Sequence, residues 1–384
     1  MSKLDELINE LCPDGVEYKP LSDKTLFEFH YGRGNKIPED IGGKYDVYGA
    51  NGIVSHINEY NCEDISIIGH IGAVGFINRC KGKCFVTYNG TIANIVDKSK
   101  VNTQYFYYVL TTLDLPSYKK GSQPFLSVSD FDKIEIPVPP LPVQDEIVRI
   151  LDTFTSLTAE LTAELTARRK QYEYYRDSLL TRDTKVERFK IKDLFDTRNG
   201  YTPSTSNSDF WDNGTVPWFV MEDIRENGRV LSDSKQHITE SAVKKSGLFP
   251  ANSIIVATSA TIGEHALITS DFLCNQRFTC LSPKTEYKSK IDMKYMFYYA
   301  FKLDEFCKRN TTKSSFASVD MGKFYDFEFP LPSLDVQQRI VNVLDNFDSI
   351  CTDLKIGLPA EIEARQKQYE YYRDKLLTFE EKEV

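Results

Sequence analysis

Several stretches of the chain set cationic side chains beside glycines, amides, hydroxyls and aromatic rings. This mixture can neutralise phosphates and reach base edges. One is Tyr31-Gly32-Arg33-Gly34-Asn35-Lys36, and another is Lys119-Lys120-Gly121-Ser122-Gln123. In the second half stand Arg198-Asn199-Gly200-Tyr201-Thr202 with Ser204 close behind, Asn275-Gln276-Arg277, and the run from Lys308 to Ser315 that contains Lys313, Ser314 and Ser315. Taken singly, each residue is equally well explained as a solvated loop residue. Their weight comes from recurrence, because matching basic, glycine- and hydroxyl-rich stretches fall at corresponding places in two halves of the chain. The contacts to test first are Arg33, Lys36, Gln123, Arg198, Arg277 and Lys313.

Other chemistries find little support. The sequence has no Gly-x-x-x-x-Gly-Lys-Ser/Thr phosphate loop and no Asn- or Asp-Pro-Pro-Tyr of the kind an amino-methyltransferase sets against its base. Gly69, Gly72 and Gly75 follow an apolar run, but their spacing is wrong for a dinucleotide site, and they read as turn glycines. Asp14, Glu17 and Lys19 mimic a nuclease triad, yet two residues between the acids are too few to bring them from two strands onto one metal. Eight cysteines are scattered without paired spacing; Cys80-x-x-x-Cys84 comes nearest to a metal motif and lacks a second pair. They are expected to be reduced structural thiols in a reducing compartment. No metal or catalytic residue is assigned.

A chain of 384 residues with 41% apolar content can bury more than one core. Its net charge of −9 argues against general nucleic-acid affinity, and the parts outside the helical segments remain slightly acidic, so a DNA surface must be a local basic face. No apolar run approaches the roughly 20 residues of a membrane span. The opening MSKLDELINELCPDG reads as an acidic amphipathic helix rather than a signal peptide, so a cytoplasmic protein is expected.

The candidate residues need elements to carry them, and the chain supplies one set twice. The heptapeptide QYEYYRD occurs at Gln171 to Asp177 and at Gln368 to Asp374. Val143-Gln144 matches Val336-Gln337, Ile150-Leu151-Asp152 matches Val343-Leu344-Asp345, and Ile136-Pro137-Val138-Pro139 matches Phe329-Pro330-Leu331-Pro332. In the first region strands are predicted at Ile65 to Ile68, Val74 to Ile77, Phe85 to Tyr88 and Ile92 to Val96, then a helix over Asn102 to Leu113. The second repeats the order, with strands at Ser253 to Thr258, His265 to Thr269 and Phe278 to Leu281 and a helix over Met293 to Phe306. The proline strands Ile136 to Pro142 and Phe329 to Pro332 must be edges or stiff linkers, because proline lacks a ladder donor.

After each proline strand the apolar spacing turns helical. Ile147, Phe154, Leu157, Leu161, Leu165 and Tyr172 mark one helix of roughly 55 Å. Val336, Ile340, Val343, Leu344, Phe347, Ile350 and Leu354, and later Ile362, Tyr369, Tyr372 and Leu376, mark the second, with a kink or break expected at Gly357-Leu358-Pro359. Two such stripes would bury each other, and a whole globular region between them lets them lie antiparallel. The tandem Thr158-Ala159-Glu160-Leu161 and Thr162-Ala163-Glu164-Leu165 reads as a spacing element. One unit changes helix length by about 6 Å and rotates the remainder of the helix by about 40°.

This plan resembles the specificity subunit of a type I restriction-modification enzyme. Further matching segments are Leu11 to Tyr18, Gly200 to Ser204, and Trp218 to Arg225. The resemblance covers essentially the whole chain. It implies an α+β fold with target-recognition domains at 1–140 and 183–334. Spacer helices at 141–182 and 335–384 would form an antiparallel, pseudo-two-fold coiled coil. It implies a non-catalytic subunit that reads a bipartite sequence in double-stranded DNA and binds two modification (methyltransferase) and two restriction (motor and nuclease) subunits. S-adenosylmethionine, ATP and Mg would belong to those partners, with no cofactor on this chain and no membrane association. The alternatives are a dimerising coiled-coil scaffold without DNA, favoured by the acidic charge, and a stand-alone nuclease or methyltransferase.

Overall fold

The computed structural model describes residues 2–118, 125–181, 186–312, 317–352 and 356–382. The chain divides into two compact units, Met1–Glu164 with Pro359–Val384, and Leu165–Leu358.

In the first unit the order is α1 (Lys3–Leu11), β1 (Tyr18–Pro20), β2 (Phe27–Tyr31), β3 (Tyr45–Gly49), β4 (Gly52–Ile57), β5 (Cys62–Gly69), β6 (Ile77–Val86), β7 (Gly90–Ile95), α2 (Thr103–Thr112) and β8 (Glu135–Pro137). Six strands form one sheet in the order β2-β7-β5-β6-β3-β4, antiparallel except for β3 against β6. Asn102 caps α2 by accepting from the Gln104 and Tyr105 amides. The predicted face of Tyr105, Phe106, Val109 and Leu110 is buried, with Phe106 stacked on Phe27 at 5.2 Å. Val74 to Ile77 and Phe85 to Tyr88 are not two strands; β6 is a single ten-residue strand running through Cys80 and Cys84. Val74 and Phe76 fall in a turn, because Gly72 and Gly75 adopt left-handed backbone and the Gly75 amide closes onto the Gly69 carbonyl.

The helix α3 (Leu141–Thr181) is continuous over 41 residues and contributes its first part to one unit and its last part to the other. In the second unit come β9 (Arg188–Lys190), α4 (Ile191–Leu194), β10 (Phe195–Asn199), β11 (Val216–Phe219), α5 (Met221–Asn227), β12 (Val230–Leu231), β13 (His237–Ile238), β14 (Ser253–Ala257), β15 (His265–Ile268), β16 (Leu273–Cys274), β17 (Phe278–Pro283), α6 (Met293–Arg309), α7 (Met321–Tyr325) and β18 (Glu328–Pro330). The sheet β10-β17-β14-β15-β12 and the smaller sheet β13-β11-β16 follow the first unit's plan, with the counterpart of β6 split into β15 and β16 and with β12 added parallel to β15. The parallel pairing survives the split: Val47 and Tyr48 face Phe85 and Val86, as Trp218 and Phe219 face Leu273 and Cys274.

The repeated sequence motifs now acquire causes. Each proline strand forms a two-stranded ribbon, β8 with β1 and β18 with β9, where the missing donors cost nothing. The second helical segment comprises α8 (Leu334–Thr352), in the second unit, and α9 (Leu358–Leu376), which begins at the glycine–proline step. Gln144 is fully buried and satisfied. Its Nε2 donates to the Lys100 and Pro139 carbonyls at 2.8 and 2.7 Å, and its Oε1 accepts from the Asn102 amide at 2.8 Å. Gln337 repeats this with the Lys290 and Pro332 carbonyls and the Asp292 amide. Likewise Tyr108 donates to Asp152 and Tyr298 to Asp345.

Helix pairing occurs inside each unit. In the first, Phe154 on α3 stacks on Tyr372 of α9 at 5.4 Å, and Leu376 and Leu377 join the core containing Val143, Ile147 and Leu151, so the two helices run antiparallel. In the second, Tyr175 on α3 stacks on Phe347 of α8, also at 5.4 Å, and Leu180 shares a core with Val341 and Leu344. The two stacks are counterparts under the duplication. Of the predicted packing residues, Ile147 is buried and Phe154, Leu157, Leu161, Leu165, Tyr172, Ile340, Phe347, Ile362 and Tyr369 are half-buried, while Leu354 lies outside the described residues. Val336, Val343 and Ile350, expected in the stripe, are exposed; Leu344, also expected there, is buried, and Gln337, Val341 and Cys351 share the inward side of α8 with it.

Candidate nucleic-acid interface

In each unit one end of the sheet gathers three loops, and the same backbone hydrogen bonds hold them. In the first unit Gly32 N–H donates to the Gly90 carbonyl and Arg33 N–H to that of Val86. His70 N–H donates to the Asn89 carbonyl and Leu126 N–H to that of His70. In the second, Gly200 donates to Phe278, Tyr201 to Cys274, Thr258 to Arg277 and Val319 to Thr258. A side-chain bond repeats as well, Thr91 Oγ1 to His70 Nδ1 and Thr279 Oγ1 to Thr258 Oγ1, both at 3.0 Å. The glycines are required by close approach. A Cβ on Gly32 would sit 2.1 Å from the Thr87 oxygen, and one on Gly200 2.2 Å from that of Cys274.

This frame sorts the predicted residues. Tyr31 and Arg33 are brought onto the first face, exposed, beside Thr87, Tyr88 and Asn89. The Tyr31 ring lies 4.6 Å from the imidazole of His70, and its hydroxyl accepts from the Val128 amide. Burial holds the His70 imidazole below its ordinary pKa, so it is neutral at neutral pH. Asn35 and Lys36 are exposed on the loop that continues from Gly34. Lys119, Lys120, Ser122 and Gln123 lie outside the described residues; the described chain resumes at Phe125, bridged to Ile71.

On the second face Thr202 donates to Gln276 Oε1 at 2.6 Å, and Gln276 and Arg277 are both exposed. The Arg277 guanidinium meets no partner among the described residues. Ser204 is exposed and bonded to Ser206. Arg198 and Tyr201 are occupied otherwise. The Arg198 guanidinium donates to the Ser246 and Gly247 carbonyls and lies 4.1 Å over the Phe249 ring. The Tyr201 hydroxyl donates to the Ala242 carbonyl and accepts from the Lys244 amide. Lys313, Ser314 and Ser315 lie outside the described residues, but Ser318 just beyond them bridges to Ser259.

Two components of the faces escaped the sequence reading. Thr87-Tyr88-Asn89 is the structural counterpart of Asn275-Gln276-Arg277, and the turn Gly69–Gly75 is the counterpart of Ala257–Gly263. Only the threonine beyond, Thr91 or Thr279, is shared in the first pair, a signal too thin to align without coordinates. The faces also differ in chemistry. The first exposes Tyr31, Ile71, Tyr88 and Phe125, while the second presents Thr202, Gln276 and Arg277.

A family model described as the type I restriction modification DNA specificity domain matches residues 13–168 and again 184–364. The EcoprrI type I restriction enzyme specificity subunit of Escherichia coli is 53% identical over 206 residues, covering 52% of this chain and 51% of its own length. The EcoR124I/EcoR124II specificity subunit of Escherichia coli is 40% identical over 306 residues, 75% of this chain and 74% of that one. This chain thus spans about half the length of the first relative and about three quarters of the second. Among solved structures, the S subunit of a type I restriction-modification system from M. genitalium shares the fold, with TM-score 0.56 at 14% identity, over 94% of this chain and 96% of that one. Among the described residues no helix is long and apolar enough to cross a membrane.

Proposed function

The chain belongs to the type I restriction-modification DNA specificity family, and from that premise we propose that its two loop faces each read one half of a bipartite sequence in double-stranded DNA. The observation that carries this reading is the recurrence of one hydrogen-bonded loop frame with different side chains upon it. Shared backbone with divergent side chains suits two readers built for different sequences. On the second face Arg277 would contact a guanine edge or a phosphate, and Gln276, its oxygen held by Thr202, would turn its amide donors toward a base. On the first, Tyr31, Arg33, Tyr88 and Asn89 would do the reading, with Lys36 on the phosphates.

The subunit itself is read as non-catalytic, scaffolding two methyltransferase and two restriction subunits that bring S-adenosylmethionine, ATP and Mg. The duplicated helical surface supports the number two. Tyr174 and Tyr371, counterparts in the repeated heptapeptide, are 69% and 64% exposed and offer one docking feature twice. Mapping methylated adenines in a strain carrying the complete system tests the reading. Arg277→Ala should relax one position of one half-site, a loss of about 1–3 kcal/mol in discrimination, and leave the other half-site unchanged. Equal loss at both halves would refute modular reading.

A further inference from the structure

Cys62, Cys80 and Cys84 are far from evenly dispersed in space. Cys62 and Cys84 are direct partners across the antiparallel β5–β6 pair, and their sulfurs lie 3.5 Å apart. Opposed residues in such a pair have Cα atoms about 4.5–5.5 Å apart, within the range a disulfide spans. Cys84 is fully buried, whereas Cys62 is half-buried and reaches solvent. Cys80 packs in the same small core and donates its thiol to the Gly82 carbonyl at 2.9 Å. Among the described residues no group of three or more histidine, cysteine or carboxylate side chains is placed to hold a metal ion.

We propose that Cys62 and Cys84 are a thiol-oxidation site that a hydroperoxide converts to a reversible disulfide. The Cys62 thiolate attacks a peroxide oxygen; the O–O bond breaks, and the departing oxygen leaves as an alcohol or water. The resulting Cys62 sulfenic acid is attacked by the Cys84 sulfur, its S–O bond breaks, and hydroxide departs with the Cys84 proton as water. The two thiols lose two electrons and the peroxide gains them. Forming the bond requires side-chain rotation to an S–S length of about 2.05 Å, not strand movement. The linked segment contains the Gly69–Gly75 turn, and β6 runs on from Cys84 to Val86, whose carbonyl holds Arg33. Hydrogen bonding to Cys62 and burial push the Cys84 thiol up, so it enters the second step carrying the proton that leaves with the hydroxide.

The test treats the full chain, purified under reducing conditions, with graded hydrogen peroxide, then alkylates free thiols and maps peptides by mass. The expected result is a peptide pair joined through Cys62 and Cys84. It should be lost on adding dithiothreitol, be absent from Cys62→Ser, and be retained in Cys80→Ser. The inference is overturned if both thiols stay fully alkylatable, if they pass to sulfinic acids without linking, if Cys84 links to Cys80 instead, or if the pair appears only in denaturant.

Discussion

Arg198 and Arg277 are equivalent candidates by residue type, and their surroundings separate them. The first spends its donors on two backbone carbonyls and its plane on Phe249, so its work is to pin the Ser246–Gly247 turn. The second keeps its head group toward solvent beside an amide oriented by Thr202. A second residue-scale case is Glu146, a buried carboxylate on α3. Hydrogen bonds from Arg149 and then Lys3 hold its pKa down at about 2, and the Lys3 bond ties α1 to that helix. A carboxyl depressed in the folded state stabilises it above the unfolded pKa near 4.3, and that stabilisation fades as pH falls toward about 2. Thermal melts of the wild type and Glu146→Gln should therefore converge over this acidic window and differ most at neutral pH. A separation that stays constant down to about pH 2 would show that ionisation of Glu146 does not contribute.

The duplicated glutamine dominates at the scale of elements. Gln144 and Gln337 each satisfy three backbone groups where a proline strand turns into a helix and a second helix begins. Replacing Gln337 by Leu keeps the volume and strands the Asp292 amide with the Lys290 and Pro332 carbonyls. At about 1–3 kcal/mol for each buried orphan, a loss of about 3 kcal/mol or more is expected in denaturant titration. A loss below about 1 kcal/mol would mean that water replaces the side chain. These elements were legible in the sequence because their causes are local: proline at a ribbon edge, apolar residues three and four apart, a Gly-x-Pro break. The divided strand reading of β6 failed because Gly82 between two lysines looks like a turn, whereas β5 pairs with residues on both sides of it, Cys80 and Lys83, across a register shift between Glu63 and Ile65. The faces were half legible. Arg33 and Gln276 could be found by type, but Tyr88, Asn89 and the Gly69–Gly75 turn join them only through long-range backbone bonds that leave no pattern in the chain.

At the scale of the whole molecule the duplication is the organising fact. Matching glutamines, tyrosine–aspartate bonds, aromatic stacks and loop frames recur in both units, so the chain is two versions of one structure with different residues on the exposed face. On the proposed reading, α3 carries the ruler between the two half-sites, and its TAEL tandem is the adjustable part. The measurement that tests this most directly is genome-wide mapping of methylated adenines in strains carrying the complete system with and without deletion of Thr162 to Leu165. Removing about one helical turn should shorten the unspecified gap between the half-sites while both half-site sequences stay the same. An active assembly with an unchanged gap, or one in which a half-site sequence changes, would contradict the account.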